Sequence, residues 1–166
     1  MHPTTVQSTG SLRVLFTVCL AAVILPLNFV SGAVATPAIA RELGGSAQAL
    51  SWITNAFMLT FGCFLMAPGA LADELGRKKV FISGVSLFAL LSLLQAFSSS
   101  LLWIDLLRAA QGIAAAGALA GGAAALAQEF DGTARTRAFS LMGSSFGIGL
   151  AFGPFLAGVL IAHFGW

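Results

Sequence analysis

The sequence predicts an all-α integral membrane protein built from five transmembrane helices. Three observations carry that expectation. Of 166 residues, 58% belong to the hydrophobic set, with 19 glycines besides, whereas soluble domains average roughly 45 to 50% with glycine included. Only 8% of the residues are charged, and nearly all of these fall between apolar stretches. Each stretch approaches or exceeds the roughly 20 residues a helix needs to cross a 30 Å hydrocarbon layer, in which only internally hydrogen-bonded backbone survives. A water-soluble globular protein is excluded.

The five spans are expected at about Leu12 to Ala35, Leu50 to Leu71, Val80 to Phe97, Leu101 to Ala127 and Ala138 to Phe164, after a tail of residues 1–11. The first follows Arg13 and carries one amide, Asn28. A secretory signal is its rival reading, because Ala33-Val34-Ala35 has the small-x-small form of a cleavage site. The run is longer than a signal's apolar core, however, and more membrane helix follows it. Arg41 and Glu42 separate the first span from the second. Asp73, Glu74, Arg77, Lys78 and Lys79 separate the second from the third, and Ser98 to Ser100 the third from the fourth. Glu129, Asp131, Arg135 and Arg137 precede the fifth. One side of the membrane thus receives Arg13, Arg77, Lys78, Lys79, Arg135 and Arg137, and the other Arg41 alone. By the positive-inside bias the N-terminus is cytoplasmic. Trp52, Trp103 and Trp166 then all fall at outer ends, where an apolar ring with a polar N–H is at home.

Several chemistries can be set aside. A net charge of +2 is too small to neutralise many phosphates, so nucleic acid is not an expected partner. Cys19 and Cys63 lie within apolar runs and read as small packing residues, with no metal or cofactor set around them. Gly143-Ser144-Ser145-Phe146-Gly147 fits G-x-S-x-G, but that elbow requires a strand-to-helix turn and a nearby base. His163 would stand about 27 Å away along the same helix. Gly147-Ile148-Gly149 opens like a dinucleotide loop, yet its next glycine, Gly153, comes one residue late and no strand precedes it. No enzyme is expected.

Three segments carry more specific signals. Gly69-Ala70-Leu71-Ala72-Asp73-Glu74-Leu75-Gly76-Arg77-Lys78-Lys79 is a tight, glycine-bracketed connection in which acids precede three bases. Further on, Arg108 lies inside an apolar run, where a charge costs several kcal/mol unless it faces a polar interior or a partner. Asp105, three residues earlier on the same helical face, is the nearest candidate. Alternatively Arg108 snorkels to the outer surface. In the fifth span Gly149, Gly153 and Gly158, with Pro154 and the preceding Gly143 and Gly147, combine close helix approach with a proline bend.

The spacing G-x-L-A-D-x-x-G-R-K resembles the loop between helices two and three of the major facilitator superfamily. Arg108-x-x-Gln111-Gly112 is similar to that superfamily's fourth-helix motif, and Gly149-x-x-x-Gly153-Pro154-x-x-x-Gly158 to the motif of its antiporters, with Ala157 where a further glycine is usual. The resemblance implies most of one six-helix half of such a transporter, with the other half absent. It also implies export of small amphipathic molecules or drugs in exchange for protons, and a multi-pass position in the cell membrane. Gly69, Asp73, Gly76, Arg77 and Lys78 would form a cytoplasmic latch, with Glu74 departing from the basic residue often found there. Arg108, with Asp105, would handle charge. Asn28 stands where many drug exporters carry an acid, so proton coupling through the first helix needs an acid elsewhere. A sugar or metabolite carrier of the same superfamily, and a non-transporting helical scaffold, are the competing expectations.

Overall fold

The computed structural model describes residues 9–66, 72 and 74–166. Its long helices are α1 (Thr9–Leu43), α2 (Ala47–Phe64), α3 (Arg77–Gln95), α4 (Leu101–Glu129) and α5 (Gly132–Phe164). Among the described residues, four helices are long and apolar enough to cross a membrane: α1 from Gly10, α3, α4 and α5. The second expected span is not one of them. The 18 residues of α2 include Gln48, Ser51, Thr54, Asn55 and Thr60, which dilute its apolar character, and residues 67–71 of the expected span lie outside the described set.

Observed helix ends extend beyond the apolar stretches because a helix continues into polar surroundings wherever its backbone bonds do. Expected to end at Ala35, α1 instead runs through Pro37 and stops where Gly44 (φ 68°) and Gly45 (φ 113°) turn left-handed. Ser46 then caps α2, its Oγ accepting the Ala49 N–H at 3.2 Å. At the start of α4, Ser100 does the same for Trp103 at 3.4 Å. Helix α5 begins at Gly132, ahead of the expected Ala138, taking in the polar turn after Asp131. Within the expected tail, Thr9 to Ser11 are already helical. Ser11 is buried, and its hydroxyl donates to Glu129 at 2.7 Å.

Packing does not follow chain order. Helix α1 lies chiefly along α5, and α4 holds both α2 and α3. The three main crossings each have a glycine at a point of close approach. Gly112 faces Thr60 and the backbone of Phe57 and Phe61, Gly84 faces the backbone of Ala114 and Ala118, and Gly149 faces Val23 and Pro26. Without hydrophobic drive between helices in lipid, such close backbone approach supplies the van der Waals contact that holds them. Thr60 adds an interhelical bond, its hydroxyl donating to the Ala109 carbonyl at 2.7 Å. The outward surface carries large apolar side chains such as Phe16, Leu90, Leu102 and Phe155, all more than half exposed, as a lipid-facing surface should. At one end of the bundle Ile39, Ile53 and Ile104 cluster with Trp166, whose Nε1–H donates to Glu42 at 2.8 Å.

Candidate functional site

Inside this apolar bundle α1, α3 and α4 share one polar network. Arg108 of α4 is only 4% exposed. Its Nη1 donates to Asn28 Oδ1 at 2.9 Å and to the Asn28 carbonyl at 3.3 Å, both on α1. The guanidinium fits because α1 offers Gly32 there: a Cβ at that position would collide with Arg108 Nη2 and Cζ. On its other side Asn28 Nδ2 donates to Ser92 Oγ of α3 at 3.5 Å. Gln111, one turn beyond Arg108 and fully buried, donates to the same oxygen at 2.9 Å. Ser92 itself donates to the Phe88 carbonyl at 2.9 Å. Four polar side chains from three helices thus meet where lone ones would be costly.

The arginine therefore turns across to α1, and both acceptors of its Nη1 belong to Asn28 rather than to Asp105, the partner expected from spacing. It does not snorkel. Three buried atoms of this region have no hydrogen-bond partner: Arg108 Nε, Gln111 Oε1 and Asp105 Oδ1. Of these residues Arg108 borders a cavity of about 250 Å³, lined also by Asn28, Ser31, Gly32, Ser92 and Gln95. A charge that stays protonated is held here by neutral acceptors, with donor and acceptor capacity to spare. That capacity suits a site which exchanges partners. Ser92 is the member that sequence reading missed, since a single serine among leucines reads as filler.

A second cleft of about 240 Å³ is almost wholly apolar, lined by Leu25, Phe29, Phe57, Met58, Phe61 and Phe146 from α1, α2 and α5. Rings of Phe29 and Phe57 lie 5.4 Å apart, and those of Phe57 and Phe61 5.9 Å apart. Such a surface contacts flat apolar molecules without fixing their orientation.

Of the expected latch residues, Gly69 and Asp73 lie outside the described residues. Gly76, at φ 95°, turns the chain into α3, and Arg77 Nη1 donates to the Ala124 carbonyl near the end of α4 at 3.3 Å. Lys78 is exposed and faces a groove shared with Arg13 and Glu129. In the fifth-helix motif, Gly149 is the point of tight approach to α1. Gly153 stands at ordinary contact with Leu27 and Val30, and Gly158 faces open space. Pro154 lies within α5 without ending it. The glycines at the α3–α4 crossing, Gly84 and Gly121, belong to no motif read from the sequence; the four-residue spacing of Gly117 and Gly121 was the available signal.

Comparison with known families decides the identity of the fold. The profile described as Major Facilitator Superfamily matches residues 17–166. The chain belongs to the major facilitator superfamily. It is accordingly a multi-pass membrane protein. Among its relatives, the Methylenomycin A resistance protein of Bacillus subtilis is 34% identical over 96% of this chain and 34% of its own length. The Multidrug efflux pump LfrA of Mycolicibacterium smegmatis is 34% identical over 81% of the chain and 27% of its own length. The Tetracenomycin C resistance and export protein of Streptomyces glaucescens is 30% identical over 92% and 28% respectively. This superfamily member thus spans about a third or less of the relatives it matches, and those relatives are named for resistance and export, not for enzymatic chemistry.

Proposed function

We propose that the chain forms part of the translocation pathway of an exporter of small amphipathic molecules, working by alternating access together with further helices that complete the cavity. The observation that carries this reading is the aromatic cleft between α1, α2, α4 and α5, considered beside the resistance and export for which the relatives are named. A polyspecific pump needs contact area without directional hydrogen bonds, and this cleft offers that. In this reading all five helices cross the bilayer, and the end bearing Arg13, Arg77, Lys78, Lys79, Arg135 and Arg137 is cytoplasmic, as the charge asymmetry favours. Asp73, Arg77 and Lys78 latch that end between transport states. Gly149, Gly153, Pro154 and Gly158 let α5 move against α1.

Protons drive the export, and Arg108 handles the accompanying charge. Asn28 cannot titrate, Glu42, Glu74, Glu129 and Asp131 sit at helix ends or connections, and Asp73 is taken by the latch. Asp105, in the second turn of α4, is therefore the acid assigned to the coupling. The test is dye retention in an efflux-deficient bacterium expressing the reading frame that contains this sequence. Phe57→Ala with Met58→Ala should raise retained lipophilic dye several-fold, to near the level of the host without the gene. Asp105→Asn should abolish the response of efflux to an imposed pH gradient. Unchanged retention in the cleft variant would refute the pathway, and an unchanged gradient response would refute the role of Asp105.

A further inference from the structure

A second polar region lies at the opposite end of the bundle from Trp166, where α1 and α3 begin and α4 ends. A groove of about 450 Å³ opens there, lined by Arg13 and Thr17 of α1, Arg77 and Lys78 of α3, and Gln128 and Glu129 of α4. Two of these groups are engaged. Glu129 accepts the Ser11 hydroxyl, and Arg77 reaches the Ala124 carbonyl. The side chains of Arg13 and Lys78 have no hydrogen-bond or ion-pair partner among the described residues. Helix α3 starts with Arg77, Lys78 and Lys79, has no acid in its first turn and no side-chain cap, so its positive dipole end adds to theirs. Among the described lining residues, three cations stand against one already engaged carboxylate, an electropositive set.

Below the charges the groove changes character. Its deeper wall is Val14, Val18, Phe81 and Ile82, and Ile82 is 49% exposed toward the lipid-facing surface. A charged rim over an apolar wall has the profile of a lipid: a phosphate at headgroup level and hydrocarbon beneath it. We propose that this groove binds the phosphate of an anionic phospholipid, gripped by Arg13 and Lys78, with the start of an acyl chain along Val14 and Ile82. The apolar wall selects the lipid over free phosphate, which would use the rim alone. Basic pockets between transmembrane helices recognise acidic headgroups by this combination of charge and depth. The proposal rests on α1, α3 and α4 spanning the bilayer and not on which leaflet the groove faces, nor on any transport activity.

The chain reconstituted in nanodiscs of equal phosphatidylglycerol and phosphatidylcholine, with lipid present in both leaflets, tests it by native mass spectrometry of retained lipid. At about fivefold per cation, two cations should enrich bound phosphatidylglycerol about 25-fold. The paired Arg13→Gln and Lys78→Gln substitutions should bring retention near parity, while the charge-keeping swap Arg13→Lys with Lys78→Arg preserves it, which separates lost grip from lost fold. Arg135→Gln with Arg137→Gln, at the same end but outside the groove, should change little. Equal retention of both lipids, an unchanged double variant, an equal loss in the Arg135 and Arg137 control, or full displacement by millimolar inorganic phosphate would each overturn the proposal.

Discussion

Adding a single methyl group at Gly112 should loosen the bundle measurably. Gly112 is the narrowest point between α4 and α2, and the Cβ of an alanine there would collide with Thr60 Oγ1 and the Phe57 carbonyl and sit 2.9 Å from the Phe61 amide nitrogen. Restoring an ordinary contact with the Phe57 backbone oxygen requires α2 to retreat by about 1 Å, which forfeits about half of each facing contact of about 0.1–0.2 kcal/mol. Over some tens of atom pairs this comes to about 1 kcal/mol. The hydrogen bond from Thr60 to Ala109, 2.7 Å long, is stretched or lost with it, at about 0.6–1 kcal/mol. Gly112→Ala should therefore destabilise the fold by about 2 kcal/mol, a 30-fold shift in the folding equilibrium. Gly158→Ala is the matched control, since nothing lies within 4 Å of its added carbon. Unfolding of the purified chain in mixed micelles by rising denaturing detergent gives both free energies. Equal values for the two variants would refute the packing argument, because the substitution is chemically the same and only the surroundings differ.

Three further outcomes are expected. Asn28→Leu removes the nearer of Arg108's two Nη1 acceptors, leaving only the backbone carbonyl, and should cost about 2–3 kcal/mol, while Asn28→Leu combined with Arg108→Met should recover much of it, since an under-paired buried charge is worse than none; the same micelle unfolding assay reads both. Gly32→Ala pushes the guanidinium off α1 and should depress dye efflux as strongly as Arg108→Ala, whereas wild-type efflux in Gly32→Ala would separate that contact from transport. Trp166→Phe removes the bond to Glu42, which lies at an exposed end, so its unfolding free energy should stay within about 1 kcal/mol of the parent.

The apolar stretches made the helices legible, because lipid leaves the backbone few alternatives. Their ends were less so: the last turns of α1, past Pro37 to Arg41 and Glu42, and the polar first turns of α5 from Gly132 to Arg137 are helical by continuation, which composition does not register. Arg108 and Asn28 could each be singled out, since charge and amide are rare inside such runs. Their union could not. Spacing along one helix points to Asp105, whereas the real acceptor lies on α1, 80 residues away in sequence, and helical periodicity carries no information about which helix comes to lie opposite. Ser92 escaped for the same reason. The glycines divide similarly: Gly112 and Gly149 from recognised motifs do sit at crossings, Gly158 does not, and Gly84 and Gly121 do so without any motif.

Because α1 lies along α5 and not along its immediate successor, the order of synthesis matters. A nascent chain can close the α3–α4 pair as soon as Glu129 emerges, but α1 must wait for everything between Leu43 and Gly132 before its main neighbour exists, some 5–20 s at ribosomal speed. Until the third and fourth helices have emerged, Asn28 has neither Ser92 nor Arg108 to satisfy it. An insertase or chaperone that shelters a lone amide would find its client in the first helix, and crosslinks near Asn28 should fade as the fourth helix enters the bilayer, before the fifth covers the rest of α1.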